Sequence, residues 1–271
     1  MFTSQEVFPG IFHITDAMGV SFTLLAGSER ALLIDTGYGL EDAAAYVRTL
    51  TSRPVDVLLT HGHHDHALGA RWFPSVQMSA EDLPVFRLRT AAAQRQKVLD
   101  QASAKGISAP EDFLEAVIPD PEPVVWDRTL AGFSCRVYSL GGLDALAVEV
   151  PGHTPGSVMV FIPKYGLLLT GDDWNPCTWM WFPESLDVYT WRKNMRAVLP
   201  AIEKETGAGI SHVLCSHQPA PREGAELREY MDYMSDERLD SAPAVDMNSP
   251  VRTRQVTCPA RNWVLVFDSA K

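Results

Sequence analysis

The stretch His61-Gly62-His63-His64-Asp65-His66 follows the apolar run Val55 to Leu59, at what reads as the end of a buried strand. It sets the pattern His-x-His-x-Asp-His. Collecting these imidazoles and a carboxylate on one loop is costly unless something binds them together. The glycine lets the chain turn sharply off the strand, and a short helix after it fans the next side chains outward. Neutral imidazole and carboxylate suit zinc, iron and manganese, whereas the lack of thiolate argues against a closed structural zinc site. The alternative is a polar surface loop that happens to be rich in histidine.

Three further segments favour the metal. They are Pro151-Gly152-His153-Thr154-Pro155-Gly156-Ser157, Thr170-Gly171-Asp172-Asp173 and Cys215-Ser216-His217. Each follows a short apolar or β-branched run, namely Leu146 to Val150, Leu167 to Leu169 and Val213 to Leu214. All are therefore placed at strand ends, where loops on a rigid sheet converge. Asp173 reads equally well as a support for a neighbouring histidine and as a solvated neighbour of Asp172.

Strand-like and helix-like segments come in two similar halves. Val7 to Ile14, Ser21 to Leu25, Ala31 to Asp35, Val55 to Thr60 and Val76 to Met78 are expected strands, with a helix at about 40–51. The second half offers Phe133 to Tyr138, Leu146 to Val150, Val158 to Ile162 and Leu167 to Thr170. A helix near 187–205 follows, which Pro200 should kink or divide. Leu227, Tyr230, Met231 and Met234 mark another amphipathic helix, and about 251–257 and 262–267 form a final strand pair. Periodicity alone supports a layered α/β protein.

Residues 79–118 break the alternation. Val85, Leu88, Ala92, Leu99 and Ala102 repeat at helical intervals, Gly106 can end that helix, and Ser108-Ala109-Pro110-Glu111 can start a second. This helical insertion, at about 79–120, either caps the metal site or packs laterally on the sheet.

The chain has 271 residues, 46 % of them apolar, which is enough for one large domain. No run approaches the ~18–20 apolar residues of a membrane span, and Met1-Phe2-Thr3-Ser4-Gln5-Glu6 lacks the layout of a signal peptide. Cys135, Cys177, Cys215 and Cys258 lie far apart, as buried or semi-buried thiols in a reducing cytoplasm would. A net charge of −11 without a dense basic stretch argues against a nucleic-acid partner. A homo-oligomer stays open, and the terminal strand pair belongs either to the core or to a subunit contact.

Taken in order, Leu33-Ile34-Asp35-Thr36-Gly37, the His61 to His66 loop, His153, Asp172 and His217 resemble the metallo-β-lactamase-fold hydrolases, most closely their glyoxalase II-like branch. The resemblance runs from about residue 7 to about residue 220. It implies a four-layer αβ/βα sandwich in a single domain, 1–271, with the helical insertion capping the site. It also implies two divalent metal ions per chain, zinc first, with iron and manganese as alternatives. His61, His63 and His153 would bind one, Asp65, His66 and His217 the other, and Asp172 would bridge them. Asp35 would support the histidine loop, and His64 falls at a variable position. The last ligand often sits in Gly-His-Gly, whereas here it stands in Ser216-His217-Gln218-Pro219. Its competitor His212 lies before Val213-Leu214 and would face the wrong end of that strand.

Two such ions about 3.5–4 Å apart lower the pKa of a shared water toward neutrality. The expected enzyme therefore hydrolyses a small ester, thioester or lactone with a metal-bridging hydroxide as nucleophile, Asp65 and Asp172 being the catalytic carboxylates. Trp174, Trp179, Trp181 and Phe182, just after Asp172, form either the apolar wall of a substrate pocket or internal packing. Met18 and Tyr38 are weaker candidates for the same wall. In glyoxalase II a helical C-terminal domain contributes the glutathione site, and this chain ends in strands instead. Its particular substrate is therefore not the specific expectation. A small-molecule phosphodiesterase would use the same metals. A persulfide dioxygenase-like oxidoreductase would need one iron, held by two histidines and an aspartate.

Overall fold

Residues Met1–Val125, joined by Val137–Ala145 and Ser216–Ala220, make one of two units in the computed structural model, which describes residues 1–271. Its sheet runs β1 (Thr3–Phe8), β2 (Ile11–Thr15), β3 (Ser21–Ala26), β4 (Ala31–Ile34), β5 (Val55–Leu58), β6 (Gln77–Met78) and β7 (Glu122–Pro123), in that order. β1 to β4 pair antiparallel and β4 to β7 parallel. The strand expected over Val7 to Ile14 is instead a hairpin. Pro9 has no N–H to give a ladder and Gly10 takes φ +79°, so the chain reverses there.

Helix α1 (Ala43–Leu50) links β4 to β5, capped by Asp42, which accepts the Ala45 N–H at 2.8 Å. Ala43, Ala44 and Val47 enter a core with Ile14, Phe22, Leu24, Leu33, Leu59 and Phe73. Because β4 and β5 are parallel, Asp35 and the histidine loop leave the sheet at the same edge, where ligands bind in open α/β sheets. The short helix expected in that loop is α2 (His64–Ala67).

The insertion holds α3 (Leu83–Arg89) and α4 (Ala92–Ala104) rather than one helix running to Gly106. The break falls at Thr90, whose N–H and hydroxyl both bond the Phe86 carbonyl, and Ala91 is extended with ψ 155°. The second helix expected from Ser108 is only a turn. Arg95 takes the Phe113 and Ala116 carbonyls at 2.9 and 2.8 Å, which removes them from helical bonding. α4 buries Val98 and Ala102 against Met18, Leu40, Leu68 and Phe113.

The second unit comprises Trp126–Arg136, Leu146–Cys215 and Pro221–Lys271. The larger of the two remaining sheets is built from β8 (Arg128–Leu130), β9 (Phe133–Ser139), β10 (Asp144–Glu149), β11 (Val158–Ile162) and β12 (Leu167–Leu169). A smaller sheet uses β13 (Cys177–Met180). The larger one is completed by β14 (His212–Leu214) and β15 (Arg222–Glu223), in the order β15-β14-β12-β11-β10-β9-β8. In the smaller sheet β13 pairs parallel with β18 (Trp263–Asp268), then come β17 (Thr253–Cys258) and β16 (Ala244–Val245). The expected terminal strand pair is β17–β18; β13 and β16 are additions the periodicity did not reveal.

Helix α5 (Val188–Thr206) contains Pro200 yet is undivided. An interior proline costs about 3 kcal/mol. Burial of Val188, Trp191, Met195, Val198, Leu199 and Ile202, at roughly 1.5–3 kcal/mol each, outweighs that loss. Helix α6 (Gly224–Tyr233) packs Tyr230 and Tyr233 against Trp263 at 5.5 and 6.1 Å, and the Tyr230 hydroxyl donates to the Val264 carbonyl at 3.0 Å. The terminal hairpin is therefore part of this unit's core. No helix of the chain is long and apolar enough to cross a membrane.

Candidate metal centre

In the first unit the support is Asp35, 1 % exposed and in the left-handed region at φ +66°, which aspartate tolerates better than most residues. Its carboxylate accepts the Thr60 N–H at 2.7 Å and the Thr60 hydroxyl at 2.8 Å. His66 Nδ1 lies 2.9 Å from Asp35 Oδ2; a carboxylate only accepts, so Nδ1 carries the proton. Thr60 Oγ1, having given its hydrogen to Asp35, accepts from His61 Nδ1–H at 3.0 Å. In both rings the lone pair is thereby assigned to Nε2, the arrangement a metal-ligating histidine needs.

Gly62 serves another purpose than a sharp turn. A Cβ there would stand 2.4 Å from the Phe86 nitrogen, so glycine is required by the close approach of α3. Its N–H donates to Asp82 Oδ2 at 2.6 Å, a buried support that no spacing in the sequence reveals.

The ring centroids of His61 lie 4.7 Å from His63 and 4.1 Å from His66, and that of His66 lies 5.6 Å from His217. Asp65 Oδ2 is 3.7 Å from Nε2 of both His66 and His217. His64 instead meets the Tyr38 ring edge-on at 5.5 Å, and burial lowers its pKa. His212, on β14, points Nδ1 to the Tyr165 carbonyl at 3.3 Å.

Met18 and Tyr38 are held by a second carboxylate with no sequence signal, Asp16. Its Oδ1 accepts the N–H groups of Met18, Gly19 and Val20 at 2.9, 3.0 and 3.1 Å, and Oδ2 that of Tyr38 at 3.0 Å. Burial raises its pKa, and these bonds oppose the rise. The Met18 side chain itself packs with Leu68, Val98 and Phe113.

In the second unit His153 is held at three points. Its N–H donates to Asp173 Oδ1 at 2.8 Å, its carbonyl accepts the Ser185 hydroxyl at 2.8 Å, and Nδ1–H donates to the Trp179 carbonyl at 2.8 Å. The lone pair again falls to Nε2, which is 3.8 Å from Asp172 Oδ2. Asp173 is 1 % exposed and its carbonyl accepts the Trp191 indole N–H at 2.9 Å, so it is a built support rather than a solvated neighbour. A Cβ on Gly152 would meet Asp173 Oδ1 at 2.3 Å, which fixes glycine there.

The aromatic loop divides by role. Trp174 is fully buried, edge-on to Tyr230 at 6.1 Å. Trp179 is 40 % exposed, Trp181 and Phe182 stack at 4.7 Å, and Phe182 meets the His153 ring edge-on at 5.5 Å. Cys177 is exposed, whereas Cys135, Cys215 and Cys258 are buried.

The donor chemistry fits divalent ions. The imidazole Nε2 to carboxylate spacings are 3.7–3.8 Å. Tetrahedral zinc with bonds of about 2.0–2.1 Å sets its ligands about 3.3 Å apart, so a small inward movement suffices.

Residues 15–184 match the family profile of the metallo-beta-lactamase superfamily. The acyl-coenzyme A thioesterase MBLAC2 of Gallus gallus is 27 % identical over 202 residues, 65 % of this chain and 69 % of that protein. A probable metallo-hydrolase of Streptococcus pyogenes serotype M6 is 23 % identical over 168 residues, 62 % of this chain and 66 % of its own length. A metallo-beta-lactamase from Pontibacter korlensis shares the fold with a TM-score of 0.57 at 16 % identity, over 86 % of this chain and 98 % of that one. The inverting sec-alkylsulfatase Pisa1 from Pseudomonas sp. does so with a TM-score of 0.63 at 17 % identity, over 86 % of this chain but 41 % of the sulfatase. With an α/β fold of this kind and a profile match over more than half its length, the chain belongs to the metallo-beta-lactamase superfamily and is a hydrolase.

Proposed function

We propose that this hydrolase cleaves a small thioester, ester or lactone, with the thioester as first choice, at a centre of two divalent ions. His61, His63 and His153 would hold one ion and Asp65, His66 and His217 the other, with Asp172 as their shared ligand. The observation that carries this reading is the shared tautomer. His61, His66 and His153 each give Nδ1–H to a protein acceptor, Thr60 Oγ1, Asp35 and the Trp179 carbonyl respectively, which assigns the lone pair to Nε2.

When bound, the ions supply Lewis acidity toward the substrate carbonyl and a water acidified to near neutral pH, with zinc the first candidate and iron or manganese the alternatives. The chain's own residues position the reaction. The Asp65 carboxylate accepts a hydrogen bond from the attacking water and orients it. Asp35 and Thr60 hold His61 and His66 in one tautomer throughout. Trp179, Trp181 and Phe182 form an apolar wall beside His153 that binds the acyl body and keeps bulk water from the reacting carbonyl. A thiolate, whose conjugate acid has a pKa of about 8.5, leaves without a proton donor. The thioesterase among the relatives supports the same choice.

A panel of acyl thioesters, lactones, carboxyl esters and phosphodiesters, offered to the metal-loaded enzyme, tests the proposal. Turnover of acyl substrates is expected, with kcat/KM rising as the acyl group becomes more apolar. Turnover of phosphodiesters alone would overturn it.

A further inference from the structure

Strand β2 carries a histidine that none of the steps above uses. His13 is 3 % exposed, with Nε2 2.8 Å from the Gln218 carbonyl and Nδ1 3.1 Å from Thr23 Oγ1. A carbonyl only accepts, so Nε2 carries the proton and Nδ1 accepts from the Thr23 hydroxyl. Both nitrogens are satisfied in one tautomer, and burial favours the neutral ring.

The place of this bond is what gives it meaning. Gln218 follows His217 directly, and on the other side the Ser216 carbonyl accepts the Ser21 N–H at 2.8 Å. Residues 216 and 218 are thus pinned to β3 and β2, and His217 is the residue between the two pins. The tie spans 205 residues of sequence. β14 ends at Leu214, so the strand stops short of this loop.

We propose that His13 is a positioning residue for His217 and that it sets the affinity of the ion held by Asp65, His66 and His217. The inference rests on the two-ion reading above. His13 acts through the Gln218 carbonyl. It touches neither substrate nor ion.

The test counts metal per chain by mass spectrometry in protein purified without chelator, then titrates zinc back while following both occupancy and turnover. Wild type is expected to hold two equivalents. His13→Leu should keep one and bind the second about 10–100-fold more weakly, with kcat restored by excess zinc. His13→Gln, which keeps an N–H donor at similar reach, should recover most of the affinity. Two tightly held ions in His13→Leu with only a lower Tm would overturn the proposal, as would loss of both ions together. If the leucine variant does not fold, Thr23→Val removes the partner of Nδ1 and should weaken the second ion alone; unchanged affinity there counts against the proposal. His217→Ala separates the two claims. If it retains two ions, the ligand assignment itself fails; if it loses one while His13→Leu loses none, only the role of His13 fails.

Discussion

Asp35 ties the histidine loop together from beneath, although it does not read as a ligand. One carboxylate holds the Thr60 N–H and hydroxyl and His66 Nδ1, and through Thr60 it fixes His61. Asp35→Asn keeps the size but gives up half of the acceptor capacity. Metal affinity should fall about 10–100-fold, read by competition with a chromophoric chelator; unchanged affinity would show that the loop needs no such support. His13 adds a pH dependence. Its folded pKa lies below the ordinary value of about 6.5, so the unfolded chain binds the extra proton. The stability it contributes is full above about pH 6.5 and is lost as pH falls through the folded value. Denaturant titrations of wild type between pH 7.5 and about 5 should show that decline, and His13→Gln should flatten it. Equal slopes in the two proteins would contradict the argument.

Elements show how far the sequence reading reached. The strand ends carrying His61, His153 and Asp172 were legible because short apolar runs stop directly before them. The insertion was legible as helical, but its break was expected at Gly106 and falls instead at Thr90, which bonds back to Phe86. β13 was hidden because its residues, Cys177 to Met180, are aromatic and sulfur-bearing around one threonine, and only pairing with β18 makes them a strand. Its alternation turns Trp179 outward, whereas Trp174, which precedes the strand, is enclosed. Trp174→Ala should cost about 3–5 kcal/mol of stability. Trp179→Ala should change stability by under about 1 kcal/mol and instead raise KM for acyl substrates. A lower Tm with unchanged KM in Trp179→Ala would make that residue packing. The supports Asp16 and Asp82 escaped because a buried aspartate that serves backbone N–H groups leaves no spacing in the sequence, whereas Asp173 stood out only by its place beside Asp172.

For the whole molecule, the proposed centre implies that ion binding and folding are coupled. The proposed ligands come from segments as distant as His61 and His217, so the unfolded chain would offer no preformed site. Ions that bind only the folded state stabilise it by about 4.1 kcal/mol per site at a thousandfold excess over Kd. A chelator should therefore lower Tm by several degrees, and zinc should restore it; an unchanged Tm would mean that the folded chain binds no ion tightly.

Metal content per chain in wild type and Asp172→Ala probes the proposed two-ion centre itself. Close to two equivalents of divalent metal are expected in wild type, with loss of metal and of hydrolysis in Asp172→Ala. One equivalent of iron in wild type, unchanged by His217→Ala, would contradict it.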